Sequence, residues 1–446
     1  MIVTDAAETS PQINLDSYWM PFTPNRAFKK SPRVLSHASG MHYFTPEGRP
    51  IVDATAGLCC AYAGHCRWPI VEAVRAEAGN LDFALSFHFV HPKACALAGR
   101  LVALAPGDLN HVFFTNSGSE AIETALKIAL AYHNLRGEGA RQRFIGRERA
   151  VHGSGFAGTA VGGIAVHRKY FGLVFAGVDH LRTTYDRGKQ AFTKGEPEWG
   201  AHLADDLERI VGVHGCSTVA AVIIDPAVGS TDVLPPPFGY LNRLRSICDN
   251  YDILLIFDEF VGGFGGLGYA FAAERCGVLP DMITFGKGIT AGIAPMGGVI
   301  VRDPVYNTFL DGPEEEVELG HGYPFSAHPL SCAAGLAALD LYEKENLFAR
   351  ALRLESIWAD AVHSLKGLPN VLDIRSVGLS AAIDLAAKPG ARGKRGFAAM
   401  DRAFRDFDLL LRAAGDTLIL MPPLIVSEAQ IGEIVEKTAH AVKAAS

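Results

Sequence analysis

The stretch that decides the fold is Ile253-Leu254-Leu255-Ile256-Phe257-Asp258-Glu259. Its five apolar residues do not alternate with polar ones, so both faces of such a strand are buried. A second run, Met282-Ile283-Thr284-Phe285, leads into Gly286-Lys287-Gly288. Upstream, Val112–Thr115, Arg143–Ile145 and Val219–Asp225 read the same way, each bounded by Gly, Asn, Asp or Pro. Helical patterns lie between them, including Ala121–Asn134 and Tyr240–Asn250. Strands buried on both faces and alternating with helices predict an α/β fold with a mostly parallel sheet. Met296–Val301 follows after a short connection and is expected to add antiparallel.

Further out the pattern changes. Residues 303–329 carry Pro304, Gly312, Pro313, Glu314–Glu316 and Gly320, and read as one long loop. Cys332–Glu345 and Arg350–Leu365 read as helices, and Lys388–Gly396 as a basic exposed loop. Leu418–Met421 reads as a strand and Ala429–Ala445 as a final helix. There is no internal repeat and no low-complexity tract.

The chain has 446 residues, 49% of them hydrophobic and 20% charged, with a net charge of −7. That length is enough for two or three domains, burying roughly 75% of the unfolded surface. The acidic balance argues against nucleic-acid partners and against a basic membrane-surface protein. Met1–Asp16 has no cationic start and no apolar stretch, which predicts no secretory leader. The longest uncharged apolar stretch, Gly288–Val301, is broken by four glycines and Pro295, so no membrane span is expected. Eight cysteines without a C-x-x-C pair suit reduced thiols in a cytoplasmic protein. The sixteen histidines show no metal-ligand spacing, so no metal is expected.

Three constellations carry chemistry. Thr115-Asn116-Ser117-Gly118-Ser119-Glu120 joins a strand to a helix, and Ser117 with Glu120 fits a capping box. Free N–H groups there also favour an anion, and Gly118 lets it approach. Asp258, at the carboxyl end of a buried strand, needs a cationic or N–H partner, or else simply caps a turn. Lys287 sits at the equivalent end of another strand, where a desolvated lysine becomes a nucleophile and an exposed one does nothing. Gly263-Phe264-Gly265-Gly266-Leu267-Gly268 fits G-x-G-x-x-G, but Asp258 and Glu259 precede it and would repel a pyrophosphate. A nicotinamide or flavin oxidoreductase is therefore disfavoured.

The order of the three is the informative feature: an anion-binding helix start, a strand-end Asp, then a strand-end Lys 29 positions later. Pyridoxal 5′-phosphate (PLP) needs an anion cradle, a carboxylate beside its pyridine nitrogen and an amine for its aldehyde. At this point the chain resembles the class III (ω-) aminotransferases, fold type I PLP enzymes, and is most similar to their β-alanine:pyruvate branch. The resemblance rests on Trp19-Met20-Pro21-Phe22, Pro106–Glu120, Ile253–Glu259, Lys287, Ser326-Ala327-His328-Pro329 and Gly415-Asp416-Thr417. It implies that Lys287 is the Schiff-base lysine and Asp258 the partner of the ring nitrogen. It implies that Ser117, Gly118 and Ser119 hold the phosphate, and that Val261 packs on one ring face. His152, Gly153, Asp225, Phe325 and Ser326 complete the implied cofactor site. Arg412 matches the arginine that receives a substrate carboxylate, and Trp19, Phe22, Phe87 and Phe89 match pocket-lining positions.

Five positions depart from the family pattern. Val151 stands where an aromatic ring usually stacks on the cofactor, and Pro324 where a threonine reaches the phosphate of the neighbouring subunit. Asp225-Pro226 replaces Glu-Pro, Gly266 replaces an arginine, and Cys59 a pocket tryptophan. Losing a ring stack and a phosphate hydrogen bond costs about 1–3 kcal/mol of cofactor affinity. By resemblance the expected architecture is a large PLP domain over 76–330, with 1–75 and 331–446 forming a small α+β domain. The expected assembly is a homodimer or a tetramer, with sites at the subunit interface. The expected reaction moves an amino group from an amine or ω-amino acid to a keto acid such as pyruvate. The departures leave a non-transaminating relative, such as an aminomutase or epimerase, or a weakened member as the alternatives.

Overall fold

The apolar runs come together in one eight-stranded sheet. In the computed structural model, which describes residues 14–172, 175–227 and 232–446, its order starts with Leu109–Thr115, Gly297–Arg302 and Met282–Gly286. It continues through Leu254–Asp258 and Val219–Ile224 to Arg143–Glu148. Gly162–Gly163 and Val178–Leu181 both pair with Arg143–Glu148. Pairing is parallel except around Gly297–Arg302, which is antiparallel to both neighbours, as its short connection predicts. Val219–Ile224 and Leu254–Asp258 are buried at every residue, so unbroken apolar runs are what the two covered faces demand.

The Gly118–Leu135 helix packs Ala121, Ile122, Ala125, Leu126 and Ala129 with Phe144, Ile223 and Val299 on one side of this sheet. Truncating Leu126 to alanine there would cost about 2–5 kcal/mol. Two four-stranded sheets flank the main one. One takes His37–Ser39, His42–Phe44 and Pro50–Asp53 from the N-terminal part, and Leu409–Leu410 adds parallel to it. The other is antiparallel and holds Val371–Val377, Ser380–Leu385, Thr417–Leu420 and Arg412–Ala414. The helices Leu347–His363 and Glu428–Ala444 lie close together nearby, with Trp358 fully buried on the first.

Two sequence readings are corrected, and one pair of strands is added. Residues 303–329 are not one loop: Asp303–Asn307 is helical, started by Pro304, and Thr308–Asp311 continues it as a 3₁₀ turn. Lys388–Gly396 ends inside a helix, Lys394–Asp406, because Asp416 accepts from the N–H groups of Gly393, Arg395 and Gly396 and caps its start. Val371–Val377 and Ser380–Leu385 are strands that the sequence hid, since their polar residues are buried. Arg375 is 3% exposed and is held by Asp373, Asp384, Tyr185 and the Val233 carbonyl. No helix among the described residues is long and apolar enough to cross a membrane. The reading of Met1–Asp16 lies outside the described residues up to residue 13.

Candidate active site

Parallel pairing sets Thr284 opposite Asp258, so the strands Leu254–Asp258 and Met282–Gly286 end side by side. That register brings Asp258 and Lys287 to one edge of the sheet, where α/β proteins bind ligands. Asp258 is 6% exposed and accepts hydrogen bonds from Thr284 Oγ1 at 3.3 Å and Phe260 N at 3.2 Å. His152 Nδ1 lies 2.7 Å from its Oδ2. His152 is fully buried, and its Nε2 is a buried atom without a hydrogen-bond partner among the described residues. Thr284 was missed as a site residue; its signal is its position inside a predicted strand one register step from Asp258.

Lys287 leaves the strand with φ 46°, in the left-handed region that a lysine rarely adopts. Its Nζ sits 5.6 Å from the centroid of the Phe260 ring. Phe260 fills the space left by two glycines: a Cβ on Gly118 would come within 2.2 Å of its ring, and one on Gly286 within 2.1 Å. The side chain facing Lys287 on this turn is therefore Phe260. Val261, expected on one face of the cofactor ring, is 5% exposed and lies in the core cluster, and its carbonyl accepts from Tyr62 Oη at 2.8 Å.

Ser117 caps the Gly118–Leu135 helix by accepting from Glu120 N at 3.2 Å. The box is shifted on its other side, because Glu120 Oε2 accepts from Asn116 N and Nδ2 rather than from Ser117 N. Gly118 and Ser119 supply the first N–H groups of this helix, which have no carbonyl one turn back. Ser119 Oγ accepts from Ser154 N at 2.9 Å, and a Cβ on Gly153 would meet Ser119 Cα at 2.8 Å. The Val151–Gly153 segment is thereby locked against the helix start. Asp225 is buried beside Arg147, at 3.7 Å; burial pushes its carboxyl up, and Arg147 opposes the rise.

A second group borders these residues. Ala56, Gly57, Leu58 and Cys59 all have positive φ, from 46° to 65°, closed by Cys59 N to Thr55 O and Cys60 N to Ala56 O, both 2.8 Å. A left-handed turn costs about 1–2 kcal/mol for each residue other than glycine. Cys59 lies 3.2 Å from Met421 Sδ. Burial pushes the Cys60 thiol up to about 11, while the nearby Lys287 ammonium pulls it back. Burial lowers the Arg412 guanidinium, and Cys59 and Asp232 counter it. His167 is lowered by burial and then by Arg412, and Phe22 packs on its ring with centroids 5.4 Å apart. Trp19 is 89% exposed on the single chain.

The remaining expected pocket residues gather elsewhere. Phe87, Phe89 and Ser326 line a cavity of about 350 Å³ with Phe113, Phe114 and His321, and neither Lys287 nor Asp258 borders it. Ser326 Oγ is buried without a partner among the described residues, and Phe325 is exposed beside Phe83 and His328. Gly265 and Gly268 in the G-x-G-x-x-G stretch have positive φ, and side chains there would strike Phe348, Leu424 and Leu352. Those glycines serve packing. A side chain at Gly266 would press on the Tyr62 hydroxyl at 3.0 Å.

A strand-end lysine, a carboxylate on the adjacent strand end and an open helix start suit PLP. The family model "Aminotransferase class-III" matches residues 24–442. The chain belongs to the class-III aminotransferases. It is 53% identical to "Omega-aminotransferase" of Caulobacter vibrioides, over 95% of this chain and 96% of that one. It is 44% identical to "Beta-alanine--pyruvate aminotransferase" of Pseudomonas aeruginosa, over 94% and 93%. An amine transaminase from an uncultivated Pseudomonas species, solved in a PLP-bound form, superposes with a TM-score of 0.87 at 31% identity, covering 96% and 98%. This aminotransferase has the α/β fold of its class and depends on PLP, as the sequence predicts.

Proposed function

We propose that this aminotransferase moves the amino group of an ω-amino acid or amine to a keto acid such as pyruvate. The observation that carries it is the placement of Lys287 and Asp258 on adjacent strand ends beside the Gly118 helix start. The substrates follow the names of the Caulobacter and Pseudomonas relatives. When bound, PLP supplies an aldehyde for amines and a pyridinium ring that withdraws electrons from the donor carbon. Lys287 Nζ would hold that aldehyde, and as a free amine would take the proton from the donor's amine-bearing carbon. Asp258, fixed by Thr284 and His152, keeps positive charge beside it. The N–H groups of Gly118 and Ser119 would hold the phosphate, and Arg412 would receive a substrate carboxylate. Phe260 takes the ring-face role first assigned to Val261.

The proposed assembly is a homodimer. Its support is the exposure of Trp19, Phe22, Phe87, Phe89 and Phe325, and the separate cavity that Phe87, Phe89 and Ser326 line. In the dimer Phe87, Phe89, Pro324 and Phe325 face the partner's lysine, while Phe22 stays on His167 of its own chain. The proposed domains are 76–330 and a small one from 1–75 with 331–446; the pairing of Leu409–Leu410 with Pro50–Asp53 supports that union. The proposed compartment is the cytoplasm, supported by eight free cysteines. No observation favours the aminomutase or epimerase reading.

The test is borohydride reduction of the PLP-loaded protein with peptide mapping, alongside alanine formation from β-alanine and pyruvate. The expected label is on Lys287, and Lys287→Ala loses both label and turnover. A label on another lysine overturns the assignment.

A further inference from the structure

The left-handed turn at Ala56–Cys59 is held from below by a group that the mechanism leaves unused. Asp53 ends the Pro50–Asp53 strand and is fully buried. Its Oδ1 accepts from Thr55 N and Thr55 Oγ1, both at 2.8 Å. Its Oδ2 accepts from Gly57 N at 2.8 Å and lies 2.8 Å from His65 Nε2. One carboxylate thus meets four donors, two of them backbone N–H groups at the entry to the turn. His65 is itself fixed, because its backbone pairs with Gly40 and its ring packs on Tyr43 with centroids 4.2 Å apart. The space inside is closed too: a Cβ on Gly57 would meet the Tyr43 hydroxyl at 2.8 Å.

Three consecutive residues with side chains, counting across Gly57, do not hold positive φ unaided. The turn's far side packs against the segment that follows Lys287. Cys59 sits on Met421, and Cys60 Cβ lies 3.2 Å from where a Cβ on Gly292 would be, just after the Lys287–Thr290 turn. Tyr62, two residues on, ties the segment to Val261 and packs where a side chain on Gly288 would go.

We propose that Asp53, braced by His65, is a positioning residue for amino transfer: it holds the left-handed turn that sets Cys59 and Cys60 as the wall between Lys287 and Arg412, and so fixes how the substrate is seated. The inference rests on the transfer reaction proposed above. Asn in place of Asp53 keeps one acceptor oxygen and turns an N–H₂ group toward Gly57 N or His65.

The experiment compares wild type, Asp53→Asn and Asp53→Asn with Ala56→Gly, all as PLP-loaded full chains. In Asp53→Asn the KM for β-alanine is expected to rise about tenfold, with kcat within about threefold, because seating is lost and chemistry is not. Iodoacetamide labelling of Cys60, read by peptide mass, is expected to quicken at least about threefold as the turn opens. Ala56→Gly removes the left-handed penalty at that residue and is expected to restore slow labelling and a low KM. Unchanged KM and unchanged labelling in Asp53→Asn overturn the proposal. So does a uniform loss of activity and Tm that Ala56→Gly leaves unrepaired, because that is the behaviour of a merely structural carboxylate. Labelling and Tm need no substrate, so they judge the turn separately; a wild type that transfers no amino group from any donor would overturn the reaction and not the brace.

Discussion

Glu259 offers a pH-dependent measure of how dry this end of the sheet is. It is fully buried and accepts from the backbone N–H groups of Ala272 and Ala273, at the start of the Ala272–Cys276 helix. Burial lifts its carboxyl from the ordinary 4.5 to about 8; Asp258 and Asp225 add to the rise and the two amides oppose it. At about 1.4 kcal/mol for each pH unit, that difference amounts to about 5 kcal/mol. The folded state holds the proton more tightly than the unfolded one. The stability it contributes is therefore fully present below pH 4.5 and is lost as pH rises through about 8. Of the whole, about 4 kcal/mol falls between pH 5 and pH 9. Glu259→Gln cannot titrate, and its amide leaves one of the two N–H groups without an acceptor, which costs about 1–3 kcal/mol at every pH. Urea midpoints of both PLP-saturated proteins across that range measure the difference directly. The variant is expected to be the weaker protein at pH 5 and to draw level with wild type or pass it by pH 9. A stability gap that stays constant from pH 5 to pH 9 would refute the reasoning, because Glu259 would then be ionised throughout.

Asp258→Asn is expected to leave the fold intact and to slow the chemical step about 10²–10³-fold, read by single-turnover absorbance; a normal rate makes Asp258 structural. Val151→Tyr and Pro324→Thr are each expected to tighten PLP roughly tenfold in a titration of apo-protein, with near-additive effects. A wild-type dissociation constant that neither reversion moves would mark the departures as substrate tuning. Arg375→Met strips the buried Asp373 and the half-buried Asp384 of their cation and is expected to cost about 3–5 kcal/mol by denaturant titration.

The central sheet was legible because Leu254–Asp258 and Met282–Gly286 are runs that only a doubly covered strand explains. Asp258 and Lys287 were legible for the same reason, since the end of a strand is also an address in space. What failed to show depends on contacts distant in sequence. Asp373 and Asp384 look like surface residues until Arg375 meets both. Lys394–Asp406 looks like the tail of a loop until Asp416 caps it. Phe260 could be preferred to Val261 only once Gly118 and Gly286 were seen on either side of its ring. The Ala56–Cys59 turn has an ordinary composition, and nothing in Ala-Gly-Leu-Cys signals its hand.

The parallel pairing of Leu409–Leu410 with Val52–Asp53 also sets a timetable. On a ribosome the three early strands emerge first, and the strand that closes their edge comes more than three hundred residues later. At about 5–20 residues per second, that edge stands open for roughly 20–70 s of synthesis. Throughout that interval the main sheet can assemble while Pro50–Asp53 waits as an unpaired margin, the kind of surface on which chains of the same sequence associate wrongly. Shortening the wait, by faster elongation between residues 53 and 409, would raise the yield of correctly folded protein without altering a single contact of the finished molecule.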